Sequence, residues 1–220
     1  MTEVLEGLEN IRAIAWDFDG VLNRAGIPGA DGLYLWQHRM AADFGVETAD
    51  LAQRVFGDNL RAMLTGKDDI LDRIEAWVST AGFEGDAEDL MELMFTVENE
   101  ADEDLLRIIE QLERAGLTQV IATNNDPRRT RFIAVEADWA AKVDAVFSSG
   151  DLGVMKPDTD YFARIEEALG LQAPEILLID DLERNTDAAE KRGWIAWHYS
   201  SGGAMALAQA IMPLLLRAED

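Results

Sequence analysis

Residues 11–21 read Ile-Arg-Ala-Ile-Ala-Trp-Asp-Phe-Asp-Gly-Val. An apolar run ending at Trp16 passes directly into two carboxylates, Asp17 and Asp19, and then a glycine. A short apolar run closed by turn residues predicts a buried strand, with the acids at its carboxyl end. Four further segments have this form: 118–125 (TQVIATNN), 145–149 (AVFSS), 175–180 (EILLID) and 194–199 (WIAWHY). Helical patterns separate them. Residues 103–115 place Leu105, Leu106, Ile108, Ile109 and Leu112 on one stripe, and Gly116 ends it. Residues 127–137 open with Pro127 after Asp126, residues 158–169 stop before Gly170, and residues 204–217 form a terminal helix. The alternation predicts an α/β fold with a Rossmann-like, doubly wound parallel sheet. The strand order 3-2-1-4-5 would set strands one, two and four side by side, so that their polar ends converge.

Residues 31–100 carry no convincing strand. They predict helices over 31–44, 48–63, 67–81 and 86–100, punctuated by Gly45, Gly66, Gly82 and Gly85. This interval is too long for a simple crossover. It predicts a helical cap at 26–100 inserted into a core made of residues 1–25 and 101–220; the alternative is an outer helical layer of the core itself.

The 220 residues suit one large domain or a core with a small insert. With 43 acidic and 19 basic residues the net charge is −24. Such a polyanion repels nucleic acid and anionic lipid surfaces, so neither is an expected partner. An anionic substrate would need a local metal or basic group. No apolar run approaches the ~20 residues of a membrane span, and MTEVLEGLENIR lacks the basic-then-apolar plan of a signal peptide. The absence of cysteine excludes disulfides, a thiolate nucleophile and Cys-ligated zinc, and fits a cytoplasmic location.

In open α/β sheets, ligands bind outside the carboxyl ends of the strands. Four groups of polar residues fall there. In Asp17-Phe18-Asp19-Gly20-Val21, one carboxylate can attack phosphorus while the other stands near the leaving oxygen, and Gly20 lets backbone amides approach an anion; the same residues can also cap a turn. Thr123 and Asn124 could hold phosphate oxygens, or serve the turn before Pro127. Lys156, just before Pro157 and Asp158, could neutralise a carboxylate and a phosphate, or lie on the surface. Asp180 and Asp181, with Asn185 beyond them, are costly at a buried strand end unless paired or bound to metal. Mg²⁺ prefers such oxygen ligands; the alternative is a helix cap.

Taken together the four groups resemble the motif set of the haloacid dehalogenase superfamily, from about residue 11 to residue 200, in the phosphatase-like form with a small helical cap. The resemblance implies a Mg²⁺-dependent hydrolase acting on a small phosphorylated metabolite through an aspartyl-phosphate. In it Asp17 looks like the nucleophile, Asp19 the general acid/base, Thr123 the hydroxyl motif and Lys156 the lysine motif. Asp17, the Asp19 carbonyl and Asp181 would ligate the metal, with Asp181 favoured over Asp180 as the direct ligand. Asp180 and Asn185 would support them.

Superfamily dehalogenases usually lack the second aspartate, so Asp19 argues against halide displacement. A sugar phosphomutase and a non-catalytic binding or regulatory protein are the other readings. His38 reads as a helix residue, and His198 as structural and remote from the motif ends. Arg24, Arg39, Arg54, Arg61 and Lys67 are the basic residues considered for substrate contact. Trp36 and Trp77 read as cap packing, and the turn Leu64–Lys67 as a loop facing the site.

Overall fold

The computed structural model describes residues 4–219. Strands β1 (Ala13–Trp16), β2 (Thr118–Thr123), β3 (Ala145–Ser148), β4 (Ile176–Asp180) and β5 (Ile195–His198) form one parallel sheet in the order β3-β2-β1-β4-β5. This is the doubly wound sheet predicted from sequence, with the Asp17 strand central. The α-helices along the chain are α1 (Leu35–Phe44), α2 (Ala49–Phe56), α3 (Leu60–Leu64), α4 (Ile70–Ala81), α5 (Ala87–Val97), α6 (Glu103–Arg114), α7 (Pro127–Arg131), α8 (Ser149–Leu152), α9 (Thr159–Leu169), α10 (Glu183–Arg192), α11 (Ala204–Ala210) and α12 (Met212–Leu215). Among the described residues no helix is long and apolar enough to cross a membrane.

Strand residues alternate between two cores, as a period of two requires. Ile14, Trp16, Ile121, Leu177 and Ile179 pack with Leu105, Ile109 and Leu112 of α6 and with Leu207 and Leu214 of α11 and α12. Ala13, Ala15, Val120, Ala122, Ile176 and Leu178 face Tyr161, Phe162 and Ile165 of α9 and Ala189 of α10. Small alanines on β1 let the second layer sit close to the sheet. Register then decides the site. Trp16 lies opposite both Ile121 and Ile179, so β1, β2 and β4 end at nearly one level. Asp17, Thr123 and Asp180 become neighbours for that reason.

Helices α1–α5 enclose an apolar cluster of their own, including Trp36, Met40, Leu51, Ile74 and Trp77, which shares no member with the two sheet cores. Two chain passages connect these helices to the sheet, and buried Asn23 ties them together. Its side-chain amide donates to Asp19 Oδ1 at 2.7 Å and to the Glu98 carbonyl at 2.8 Å, while its Oδ1 accepts from the Glu100 N–H at 2.7 Å.

Several helix limits differ from the sequence reading. The expected helix over 48–63 breaks at Gly57–Asn59, where Asn59 adopts a left-handed φ of 56°. The first expected helix starts later, because Asp31 accepts from the Leu33 N–H and holds a turn. Beyond α7 the helix widens, and the Ala137 N–H bonds the Phe132 carbonyl five residues back. The terminal helix breaks at Ile211, two residues before Pro213, which has no N–H to continue it.

Candidate active site

Leaving β1, the chain sets the Asp17 side chain on the same side of the sheet as Ala15. The Asp17 N–H is still bonded to the Ile179 carbonyl at 2.8 Å, and its Oδ1 accepts from the Phe18 N–H at 2.7 Å. Lys156 is only 1% exposed, and its Nζ lies 2.9 Å from Asp17 Oδ1 and 2.5 Å from Asp180 Oδ2. The sequence left Lys156 either in the site or on the surface, and the fold buries it between two carboxylates. Asn124 holds it there. Asn124 Oδ1 accepts from the Lys156 N–H and Asn124 Nδ2 donates to the Lys156 carbonyl, each at 2.9 Å. Asn124 was expected to bind phosphate, but both ends of its amide are engaged with the Lys156 main chain.

Asp180 is fully buried and fully bonded. Its Oδ1 accepts from the Leu182 N–H and from Asn185 Nδ2, both at 2.9 Å, and its Oδ2 accepts from Lys156 and, at 3.1 Å, from Asn185. Asn185 Oδ1 is buried with no partner. Among the described residues no other residue donates to the Asp181 carboxylate. Oxygens of Asp17, Asp180 and Asp181 all lie within 4.8 Å of one another. Burial, then the charge of Asp180, pushes the Asp17 carboxyl well above the ordinary carboxylate value despite Lys156. Burial and Asp180 likewise raise Asp181. The Lys156 ammonium is raised: burial, the largest single effect, opposes this, but Asp17 and Asp180 together outweigh it.

Gly20 has φ of 85°, and a Cβ there would lie 2.6 Å from Asp181 Oδ2. Its N–H is bonded to the Asn23 carbonyl at 2.8 Å. Gly20 therefore gives Asp181 room, and its own N–H is engaged within the loop. Thr123 is buried, and its Oγ1 accepts from Asn125 Nδ2 at 2.8 Å. The same Asn125 nitrogen reaches Asp19 Oδ2 at 3.0 Å.

Beyond Asn23 and Asn125, which bond Asp19, two further residues that the sequence reading missed are Arg129, beside Asp19, and Glu98. Arg129 of α7 is 5% exposed; it donates to the Phe95 and Glu98 carbonyls at 2.8 and 2.6 Å and stands 3.5 Å from Asp19 Oδ1. Asp126 and Pro127 start this helix, with the Asp126 carboxylate accepting from the Arg128 and Arg129 N–H groups. The buried Glu98 carboxylate accepts from the Gly26 N–H at 2.6 Å and the Trp36 N–H at 3.1 Å, fastening both connecting passages. Only the spacing Asp126-Pro127-x-Arg129 hinted at the first, and nothing local marked the second among many surface acids.

A cavity of about 410 Å³ opens between these carboxylates and the α1–α5 helices. None of Arg24, Arg39, Arg54, Arg61 and Lys67 lines it; Arg129 and Arg184 do. Arg24, Arg39 and Arg54 instead pair with Asp102, Asp43 and Asp50. Trp36 and Trp77 are both buried in the helical cluster, as read from sequence, and Trp36 also borders the cavity. From the Leu64–Lys67 turn, Leu64 reaches the cavity. His38 pairs with Asp31 at the surface. His198 is not remote: it sits opposite Asp180 in the sheet, and its Nε2 is 2.9 Å from the Asp181 carbonyl.

Known proteins share the sequence pattern and the fold. A haloacid dehalogenase-like hydrolase family model matches residues 11–193. The chain is 31% identical over 91 residues to the GMP/IMP nucleotidase YrfG of Escherichia coli, and it spans about two fifths of the length of the curated relatives it matches. In fold it is similar to a HAD family enzyme of Bacteroides thetaiotaomicron solved with magnesium and inorganic phosphate (TM-score 0.70, 14% identity, 87% of this chain and 96% of that one). It is also similar to the L-2-haloacid dehalogenase of Xanthobacter autotrophicus (TM-score 0.61, 21% identity, 95% and 87%). With the family model covering most of the chain, and the sheet order and fold neighbours in accord, this protein belongs to the haloacid dehalogenase-like hydrolases.

Proposed function

We propose that this hydrolase is a Mg²⁺-dependent phosphatase of a small phosphorylated metabolite, with residues 26–100 acting as a cap over the sheet domain. One observation carries the reading. Three buried or half-buried carboxylates, Asp17, Asp180 and Asp181, face one ammonium, Lys156, leaving a surplus of two negative charges in an all-oxygen donor set. Mg²⁺ fits that set. Asp17 and Asp181 would hold it with the Asp19 carbonyl, while Asp180, already bonded four times, orients Lys156. When bound, the ion would neutralise phosphoryl oxygens and favour the ionised carboxylates.

The protein's own residues supply the rest. An Asp17 carboxylate oxygen attacks phosphorus, the ester P–O bond breaks, and Asp19 gives its proton to the departing alkoxide. Water then attacks phosphorus of the aspartyl-phosphate, Asp19 takes up its proton, and inorganic phosphate leaves with Asp17 regenerated. Lys156 offsets charge on the phosphoryl group, and the Thr123 hydroxyl donates to it. Asn23, Asn125 and Arg129 hold Asp19 in place.

The test is product analysis with p-nitrophenyl phosphate and alkyl phosphates, in Mg²⁺ and in EDTA, for wild type and Asp19→Asn. We expect free phosphate, loss of turnover in EDTA, and a fall of ~10²-fold or more in the variant. Full activity in EDTA, halide release from a 2-haloacid, or isomerised sugar phosphate in place of phosphate would each overturn the reading.

A further inference from the structure

The cavity wall opposite the carboxylates has a chemistry of its own. Tyr34 stacks on Phe56 at 5.7 Å between ring centroids, and Trp36 lies 6.3 Å from the same ring. Leu60, Met94 and Phe95 complete this wall. Trp36 is 1% exposed, and its indole N–H is buried with no acceptor. With so little accessible surface that N–H backs the wall and offers no hydrogen bond to the cavity.

Charge on this side argues against a second anionic group. Arg129 is engaged by two carbonyls and faces Asp19, and Glu98 adds a buried carboxyl group. The other cavity-lining cation, Arg184, is exposed and belongs to α10 on the sheet side. Sugar hydroxyls placed against Phe56, Leu60 and Met94 would lose water without gaining partners.

Resting on the phosphatase reading, we propose that the substrate is a phosphate monoester whose alcohol carries a flat, largely apolar ring system. The molecule has no second phosphate. The cavity volume suits such a body in one piece.

The experiment uses primary alkyl esters of similar leaving-group character: benzyl phosphate, glucose 6-phosphate and glucose 1,6-bisphosphate. The expected order of kcat/KM is benzyl, then the sugar phosphates, with roughly tenfold or more between benzyl and glucose 6-phosphate. Phe56→Ala should shrink the advantage of benzyl over glucose 6-phosphate. Equal or better turnover of either sugar phosphate overturns the proposal. Binding of the free alcohols, benzyl alcohol and glucose, is followed in parallel by NMR and needs no turnover. If p-nitrophenyl phosphate and every ester resist hydrolysis, the phosphatase reading fails by itself. The pocket assignment then stands or falls on benzyl alcohol binding more tightly than glucose.

Discussion

The Asn124 side chain and the Lys156 main chain exchange two hydrogen bonds of 2.9 Å, so a side-chain amide stands in for a neighbouring strand. The pair aims a buried lysine at Asp17. Asn124→Ala leaves a main-chain donor and acceptor without these partners, which costs ~1–3 kcal/mol for each group that stays dry. Turnover should fall at least tenfold while the Mg²⁺ requirement persists, measured by steady-state kinetics beside thermal unfolding. Unchanged turnover would show that Lys156 is held without the clasp.

The acidic cluster should make metal-free stability depend on pH. Burial and Asp180 raise the Asp17 and Asp181 carboxyls above 3.8, so the folded protein holds these protons more tightly than the unfolded chain. Their contribution is fully present at low pH and is lost as pH rises from that value through the raised ones. Metal-free Asp181→Asn should therefore melt above wild type at pH 7, by about 2–4 °C for each kcal/mol relieved. The gap should close towards pH 4, and Mg²⁺ should raise the Tm of wild type more than that of the variant. A lower Tm for the variant at pH 7 would contradict crowding of buried carboxylates as the cause.

Glu98 fastens both passages between the helical region and the sheet. Hydrogen bonds to a charged acceptor contribute ~1.5–3 kcal/mol, so Glu98→Ala should lower stability by that order. Glu98→Gln keeps the size and one acceptor and should recover part of the loss. The comparison is made by denaturant unfolding, and equal stability of all three proteins would remove Glu98 from this role.

Among the described residues two ion pairs join the helical region to the sheet domain: Arg61 with Asp158, and Asp69 with Arg128, the latter bidentate at 2.6 and 2.8 Å. The Arg128 guanidinium holds the Asp69 carboxyl below its ordinary value. The pairs are largely exposed, and such pairs contribute only ~0.2–1 kcal/mol each. Asp69→Asn should therefore change kcat/KM by less than about fivefold, with the difference shrinking as salt rises. A hundredfold loss would mean that closure depends on this contact.

The alternation of short apolar runs with helical stripes carried the sheet, and placing acids and a lysine at strand ends carried the site candidates. Both are local signals, because a buried parallel strand and the polar residue that ends it are contiguous in the chain. Helix limits near Asn59 and Ile211 were less legible, since a left-handed turn and a proline break depend on how neighbouring turns pack. Long-range partners were not legible at all. Asn124 was one polar residue in a run of three until Lys156 came beside it from 32 residues away. Arg129, Glu98 and the Trp36 N–H looked like ordinary helix and surface groups, and His198 looked remote, until strand register set it opposite Asp180. Sequence thus determined which residues can do chemistry and roughly where each strand ends. Only the tertiary structure decided which of them share a low-dielectric space, because burial, pairing and an unmet donor are properties of neighbours distant in the chain.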